Sequence, residues 1–203
     1  MDKKIIYTIG YAGLPIDEFV ELLKLHNITC LIDVRSVPQS SYYRQFDKNQ
    51  LELVLSENGI LYRNYASEFG ARQPNREYYP CGYLDFELFA ASNQFKQGLQ
   101  YIFNAINRKQ RICLMCAEKD PFDCHRCILV GRELRDEGYA VVHLVGHQEV
   151  MTQEQIDKRL LDRYFPKRNQ LSLFEDDNLA DEDLLKKAYR KRNEDIGYKI
   201  EES

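Results

Sequence analysis

Short apolar strands alternate with amphipathic helices along the first 165 residues, and that alternation fixes the fold class. Ile5 to Ile9 reads as a strand that ends at Gly10. Pro15 to His26 follows as a helix with Phe19, Leu22 and Leu23 on one face. Cys30 to Val34 is a continuous apolar strand broken by Asp33, and Asp47 to Asn58 is a helix closed by Gly59. Ile60 to Tyr65 reads as a third strand, Phe86 to Arg108 as helix, and Ile112 to Met115 as a fourth strand with a helix behind it. Ala140 to Val145 is a fifth strand and Thr152 to Phe165 a last amphipathic helix. Such spacing implies βαβ units. The expectation is a three-layer α/β domain over residues 1–165, with a mostly parallel sheet and helices on both faces. Ligands of such sheets sit beyond the carboxyl ends of the strands.

Composition narrows the function classes. A net charge of −4 argues against a surface that coats nucleic acid, while leaving room for a local basic cleft. The stretch Met1 to Gly10 reads as a first strand rather than a signal peptide. No apolar run approaches the roughly 18 residues of a membrane span. Six cysteines without a secretion signal imply reduced thiols in the cytoplasm. Residues 166–203 carry eight Lys/Arg and ten Asp/Glu, and read as a flexible polar tail in which Leu184 to Tyr189 can form a transient helix.

Three polar clusters fall at strand ends: Gly10-Tyr11-Ala12-Gly13, Asp33-Val34-Arg35-Ser36, and the loop from Cys116 to Arg126. In the last, Asp123 is expected to cap a helix whose first turn holds Cys124, His125 and Arg126. A helix start favours anions and lowers thiol pKa, and an adjacent His supports a thiolate. Arg126 suits a phosphate or carboxylate, against the plainer reading of a capping His125 and a surface Arg126. Asp33 and Arg35 share one side of their strand, either as an internal ion pair or as a general base beside an anion clamp. Arg72, in the long loop of residues 66–85, either adds positive charge or is simply solvated, and Glu118 reads equally as an acid/base group or a loop acceptor. Cys113, Cys116, Cys124 and Cys127 have the spacing of a metal site. However, Cys113 and Cys116 differ by three strand positions and so face opposite ways. Cys127 belongs to an apolar helix. No metal is assigned on this basis, although an ion on Cys116, Cys124 and His125 stays open.

Gln170-Leu171-Ser172-Leu173-Phe174 places three apolar residues in the polar tail, where a partner surface is their natural destination unless the tail folds back onto the domain. The pentapeptide resembles the bacterial sliding-clamp binding motif, which implies a partner at replicating or repaired DNA.

Several strings together resemble the family called Domain of Unknown Function 488. These are Tyr7-Thr8-Ile9-Gly10-Tyr11, Ile32 to Ser40, Phe69-Gly70-Ala71-Arg72, and Leu114 to Pro121 with Cys124-His125-Arg126. The resemblance covers residues 4 to about 147. Members typically carry Gly-His-Ser after the first strand, where this chain has Gly10-Tyr11-Ala12. The resemblance implies a fold and a site, not a reaction.

The sequence therefore points to a cytoplasmic enzyme of DNA or nucleotide metabolism that hydrolyses or processes an anionic substrate and is tethered to the clamp. Asp33, Glu118, Cys124 and His125 are the expected catalytic groups. Gly10, Tyr11, Arg35, Ser36, Arg72, Cys116 and Arg126 are the expected binding groups. Two alternatives stand beside it. One is a thiol-dependent transferase or hydrolase working through Cys124. The other is a non-catalytic DNA-associated adaptor or metal-binding protein.

Overall fold

The computed structural model describes residues 4–40, 42–146, 149–168 and 181–200. Six strands form one sheet: β1 (Ile5–Gly10), β2 (Cys30–Asp33), β3 (Leu61–Asn64), β4 (Ile112–Cys116), β5 (Ala140–Leu144) and β6 (Val150–Thr152). Their order is β3-β2-β4-β1-β5-β6. Five strands run parallel, and only the edge strand β6 pairs antiparallel, with β5. The three-layer α/β expectation holds, and β6 is the one strand that the pattern missed.

Strand alternation sorts the side chains into two cores. On one face α1 (Ile16–Leu25) and α2 (Lys48–Glu57) lay Phe19, Leu22, Leu23, Leu51 and Leu55 on Tyr7, Ile9, Leu31, Cys113 and Met115. The other face is covered by α4 (Phe86–Ala90), α5 (Asn93–Asn107), α6 (Arg132–Asp136) and α7 (Gln153–Tyr164). There Phe86, Phe89, Phe95, Ile102, Leu134 and Ile156 meet Ile6, Ile32, Ile112 and Leu114. Each such side chain, fully buried, is worth about 1.5–3 kcal/mol before entropy is counted. The long loop of residues 66–85 contains the short helix α3 (Ala66–Phe69) and a 3-10 turn at Arg76–Tyr78.

The polar tail is corrected in its second half. Asp181–Ile196 forms a sixteen-residue helix, α8, with Ala188, Tyr189, Arg192 and Asn193 buried. Asn193 explains part of the docking: its Oδ1 accepts from the Phe86 backbone and its Nδ2 donates to the Leu84 carbonyl. Beyond α8, Leu84 donates to the Tyr198 carbonyl and Ile200 to the Gly82 carbonyl, which straps the chain across the long loop. The pentapeptide at 170–174 lies outside the described residues.

The chain leaves β1 toward β2 over one face, through α1. It leaves β4 toward β5 over the opposite face, through α6. The crevice of a doubly wound sheet opens where neighbouring strands diverge in this way, here beyond Gly10 and Cys116.

Candidate functional site

The backbone past β1 stays paired with the backbone past β4. Tyr11 donates to the Cys116 carbonyl at 3.2 Å and Ala12 to the Ala117 carbonyl at 2.9 Å. This ladder brings the next turn of the loop directly over Gly10, where a Cβ would stand 1.8 Å from the Glu118 carbonyl oxygen. Gly10 is thus required for the approach of two backbones, and its expected place among the binding groups is revised to that role.

The loop then turns twice. Asp120, not Asp123, caps the 3-10 turn Pro121–Asp123 by accepting from the Phe122 N–H. Cys124 is extended, and its carbonyl accepts from Cys127 and Ile128. Cys124 therefore occupies the cap position of the helical run that follows, a π-helical segment Arg126–Gly131 leading into α6. Its sulfur takes the place of the usual cap oxygen, receiving the Arg126 N–H at 3.5 Å. The expected helix start is off by one residue because a proline at 121 lets Asp120 make the earlier turn.

Four donor atoms converge here. One ligating atom each from Cys116, Glu118, Cys124 and His125 lies within 4.8 Å of the others. Cys124 Sγ and Glu118 Oε2 share a hydrogen bond at 2.9 Å. His125 Nδ1 stands 3.8 Å from the Cys116 sulfur and 4.0 Å from that of Cys124. Its Nε2 donates to the Val34 carbonyl at 3.0 Å, which fixes the ring. Arg126 lies beneath, fully buried, giving Nη1 to the Glu118 carbonyl at 2.6 Å, Nη2 to Lys119 and Nε to Thr8. It is a loop anchor and does not reach the cleft, contrary to the expectation of an anion clamp.

Electrostatics follow from this crowding. Burial would raise the Cys124 thiol, but the Cys116 hydrogen bond, the Arg126 charge and His125 together hold it well below its ordinary value. Burial and the Cys124 sulfur push Cys116 well up, and the same two causes raise Glu118. Burial works against a charged His125, yet Cys124 and Glu118 hold its pKa above the ordinary value.

Over the cluster opens a cavity of about 480 Å³. Of the residues singled out in the sequence, Tyr11, Arg35, Ser36, Arg72, Cys116, Glu118 and His125 line it. Asp123, Ile196 and Tyr198 were not anticipated, and two of them arrive from the far end of the chain. Arg72 is held by its backbone donation to Ser36 Oγ at 2.8 Å, and its guanidinium lies 4.8 Å over the Tyr198 ring. Arg192 of α8 donates to the Phe122 carbonyl and pairs with Asp123, so the tail helix also braces the Cys124 loop. The signal for this was in the sequence: Leu185, Ala188, Tyr189, Arg192 and Ile196 recur at helical spacing.

Asp33 is not a cleft residue. It is 0% exposed, and its carboxylate is filled by Arg35 Nε and Nη2, the Arg35 N–H and the Tyr62 hydroxyl. It serves as the counter-ion that holds Arg35 at the wall, the internal-pair reading of the two weighed, and not as a general base. Arg35 also reaches the Phe46 carbonyl and the Tyr11 hydroxyl, so most of its donors are engaged.

A family model described as a domain of unknown function, DUF488, matches residues 15–132, more than half of the chain. The chain belongs to that family. No curated protein and no solved structure gives a significant match. The matched segment contains the Asp33–Arg35 pair, Arg72 and the whole Cys116–His125 cluster, whereas Tyr11 and α8 complete the cleft from outside it. Among the described residues no helix is long and apolar enough to cross a membrane.

Proposed function

We propose that the cleft is the active site of an enzyme acting on a phosphate-bearing substrate, a nucleotide or a nucleic-acid end, and that the 170–174 peptide brings it to the sliding clamp at DNA. The observation that carries the reading is the placement of the Cys116, Glu118 and His125 groups on the floor of a cavity whose wall presents Arg72, with the Cys124 sulfur buried against them. Arg72 has the Tyr198 ring as its side-chain partner and no carboxylate among the described residues, which leaves its guanidinium fork available to an anion. Arg35 contributes less, since Asp33 already balances its charge.

The non-catalytic adaptor is less well supported, because an adaptor has no use for four reactive groups gathered in a cleft. Thiol catalysis by Cys124 is also disfavoured. Its residue is 0% exposed and does not line the cavity, so an electrophile has no line of approach to its sulfur.

Titration of the purified protein with nucleoside monophosphates and short single-stranded DNA tests the reading. Binding should weaken with added salt and fall about tenfold in Arg72→Ala, equivalent to about 1.4 kcal/mol. Binding that is absent, or indifferent to Arg72→Ala, removes the anionic-substrate reading. Clamp binding is tested separately, with Leu173→Ala/Phe174→Ala as the variant that should abolish it. A clamp that ignores the wild-type chain removes the recruitment.

A further inference from the structure

The cleft floor has the composition and spacing of a metal site. A tetrahedral zinc ion, with Zn–S of about 2.3 Å and Zn–N or Zn–O of about 2.0–2.2 Å, keeps its ligand atoms roughly 3.3–3.8 Å apart. The 3.8 Å and 4.0 Å separations from His125 Nδ1 to the two sulfurs, within a cluster no wider than 4.8 Å, approach that spacing closely. The imidazole is already set for it. With Nε2 donating to the Val34 carbonyl, the Nδ1 lone pair faces both sulfurs, and a hydrogen bond on the far nitrogen is how metal-bound histidines are oriented.

The charge on Arg126 is compatible with such an ion. Its guanidinium is fully buried, and the hydrogen bonds of that group go to the Glu118 and Lys119 carbonyls and the Thr8 hydroxyl, all neutral. A buried cation with no carboxylate partner is costly unless negative charge stands close by. Two thiolates neutralise a divalent ion, and the Glu118 carboxylate then leaves one negative charge for Arg126 to balance.

We propose that Cys116, Cys124 and His125 bind a divalent transition metal of the zinc class, and that Glu118 is the acid–base partner of a water on the open corner of that ion. Two thiolates and an imidazole select such a metal over magnesium or calcium. Three protein ligands beside an open corner are the pattern of catalytic rather than structural zinc. Glu118 differs from the other three in keeping part of the residue at the surface while its carboxyl packs on the cluster, and it lines the cavity with Cys116 and His125. The metal-bound water gives a proton to the Glu118 carboxylate, leaving a hydroxide on the ion. The hydroxide oxygen bonds to an electrophilic carbon or phosphorus of the substrate. As the bond to the leaving group breaks, that group takes its electron pair and the proton from Glu118. The balance is one water consumed, with nothing oxidised or reduced. The substrate side of this step rests on the anionic-cleft reading, whereas the metal itself is measured without substrate.

Elemental analysis of the untagged full chain, purified without chelator, should find about one zinc per chain, the stoichiometry of a single site. Cys116→Ser and His125→Ala should each lower occupancy at least about tenfold, while Glu118→Gln keeps it. Core variants can unfold, so a second measurement uses wild-type protein stripped of metal and refilled with Co²⁺. Thiolate-to-cobalt charge-transfer absorption in the near ultraviolet is expected. Wild-type protein with neither a transition metal nor that absorption overturns the proposal, and loss of zinc in Glu118→Gln overturns the role given to Glu118. Zinc present in a chain that binds no nucleotide or DNA supports the metal site and removes only the anionic-cleft reading.

Discussion

Two cysteine–histidine pairs sit one helical turn apart, and their surroundings differ in every respect that matters for chemistry. Cys124 and His125 stand at the cleft with Cys116 and Glu118 beside them. Cys127 and His143, 3.5 Å apart, are sealed in the core. Both ring nitrogens of His143 are occupied, Nδ1 by Thr8 Oγ1 at 2.8 Å and Nε2 by Gln153 Oε1 at 3.1 Å. The chain of polar contacts runs on from Gln153 to the Tyr189 hydroxyl and Asp157, on the α7–α8 side. Burial and the Arg126 charge lower His143 to about 3, and burial raises the Cys127 thiol. A sulfur next to an imidazole is thus not a site by itself. A lone pair left free, further donors and an opening to solvent make the difference, and only the Cys124 pair has them. Arg126 stands between the two, touching Thr8 on one side and the Cys124 loop on the other.

Four substitutions or conditions would break or sharpen this contrast. Arg126→Met should cost most, about 3–5 kcal/mol in urea unfolding, because it removes a fully buried cation facing the cluster and its bonds to two loop carbonyls. A loss below about 1 kcal/mol would mean that the guanidinium does not underpin the cleft side. The core pair should next reveal itself through pH. A histidine whose folded pKa is depressed to about 3 contributes stability that is complete above its ordinary pKa of about 6.5 and is lost on acidification. The loss is about 1.4 kcal/mol per unit, hence about 2 kcal/mol between pH 7 and pH 5, and His143→Phe should flatten that slope. An unchanged slope in the variant would place the titration elsewhere. Cys127→Ala should cost about 1–2 kcal/mol and leave the metal content of the chain intact. Metal lost with Cys127 would merge the two pairs into one site and end the contrast. Smallest, Tyr198→Ala should change stability by under about 1 kcal/mol while weakening anion binding a few-fold through Arg72. Equal binding would confine the strap to a structural role.

The fold and the cluster were legible in the sequence for definite reasons. Buried parallel strands demand unbroken apolar runs, so β1, β2, β4 and β5 announce themselves. The three-position offset of Cys113 and Cys116 on one strand already separates them, and the fold puts their side chains in different cores. What escaped depends on contacts distant in sequence. Asp33 reads as a base or as a counter-ion with equal ease until Tyr62 and Arg35 are seen to fill its lone pairs. Arg126 looks like a clamp until the loop carbonyls above it come into view. The helix α8 hides behind its charge: the exposed face carries Glu182, Asp183, Lys186 and Arg190, which swamps the apolar stripe of Ala188 and Tyr189 in any average over the segment.

Zinc-edge X-ray absorption on the untagged full chain tests the central claim most directly, because it reports which atoms surround the ion. Two sulfur neighbours at about 2.3 Å and two lighter neighbours, one imidazole nitrogen and one water oxygen, at about 2.0–2.1 Å are expected. A shell of nitrogen and oxygen alone, or four sulfurs, would contradict that claim and return the Cys116–His125 cluster to a metal-free floor of the cleft.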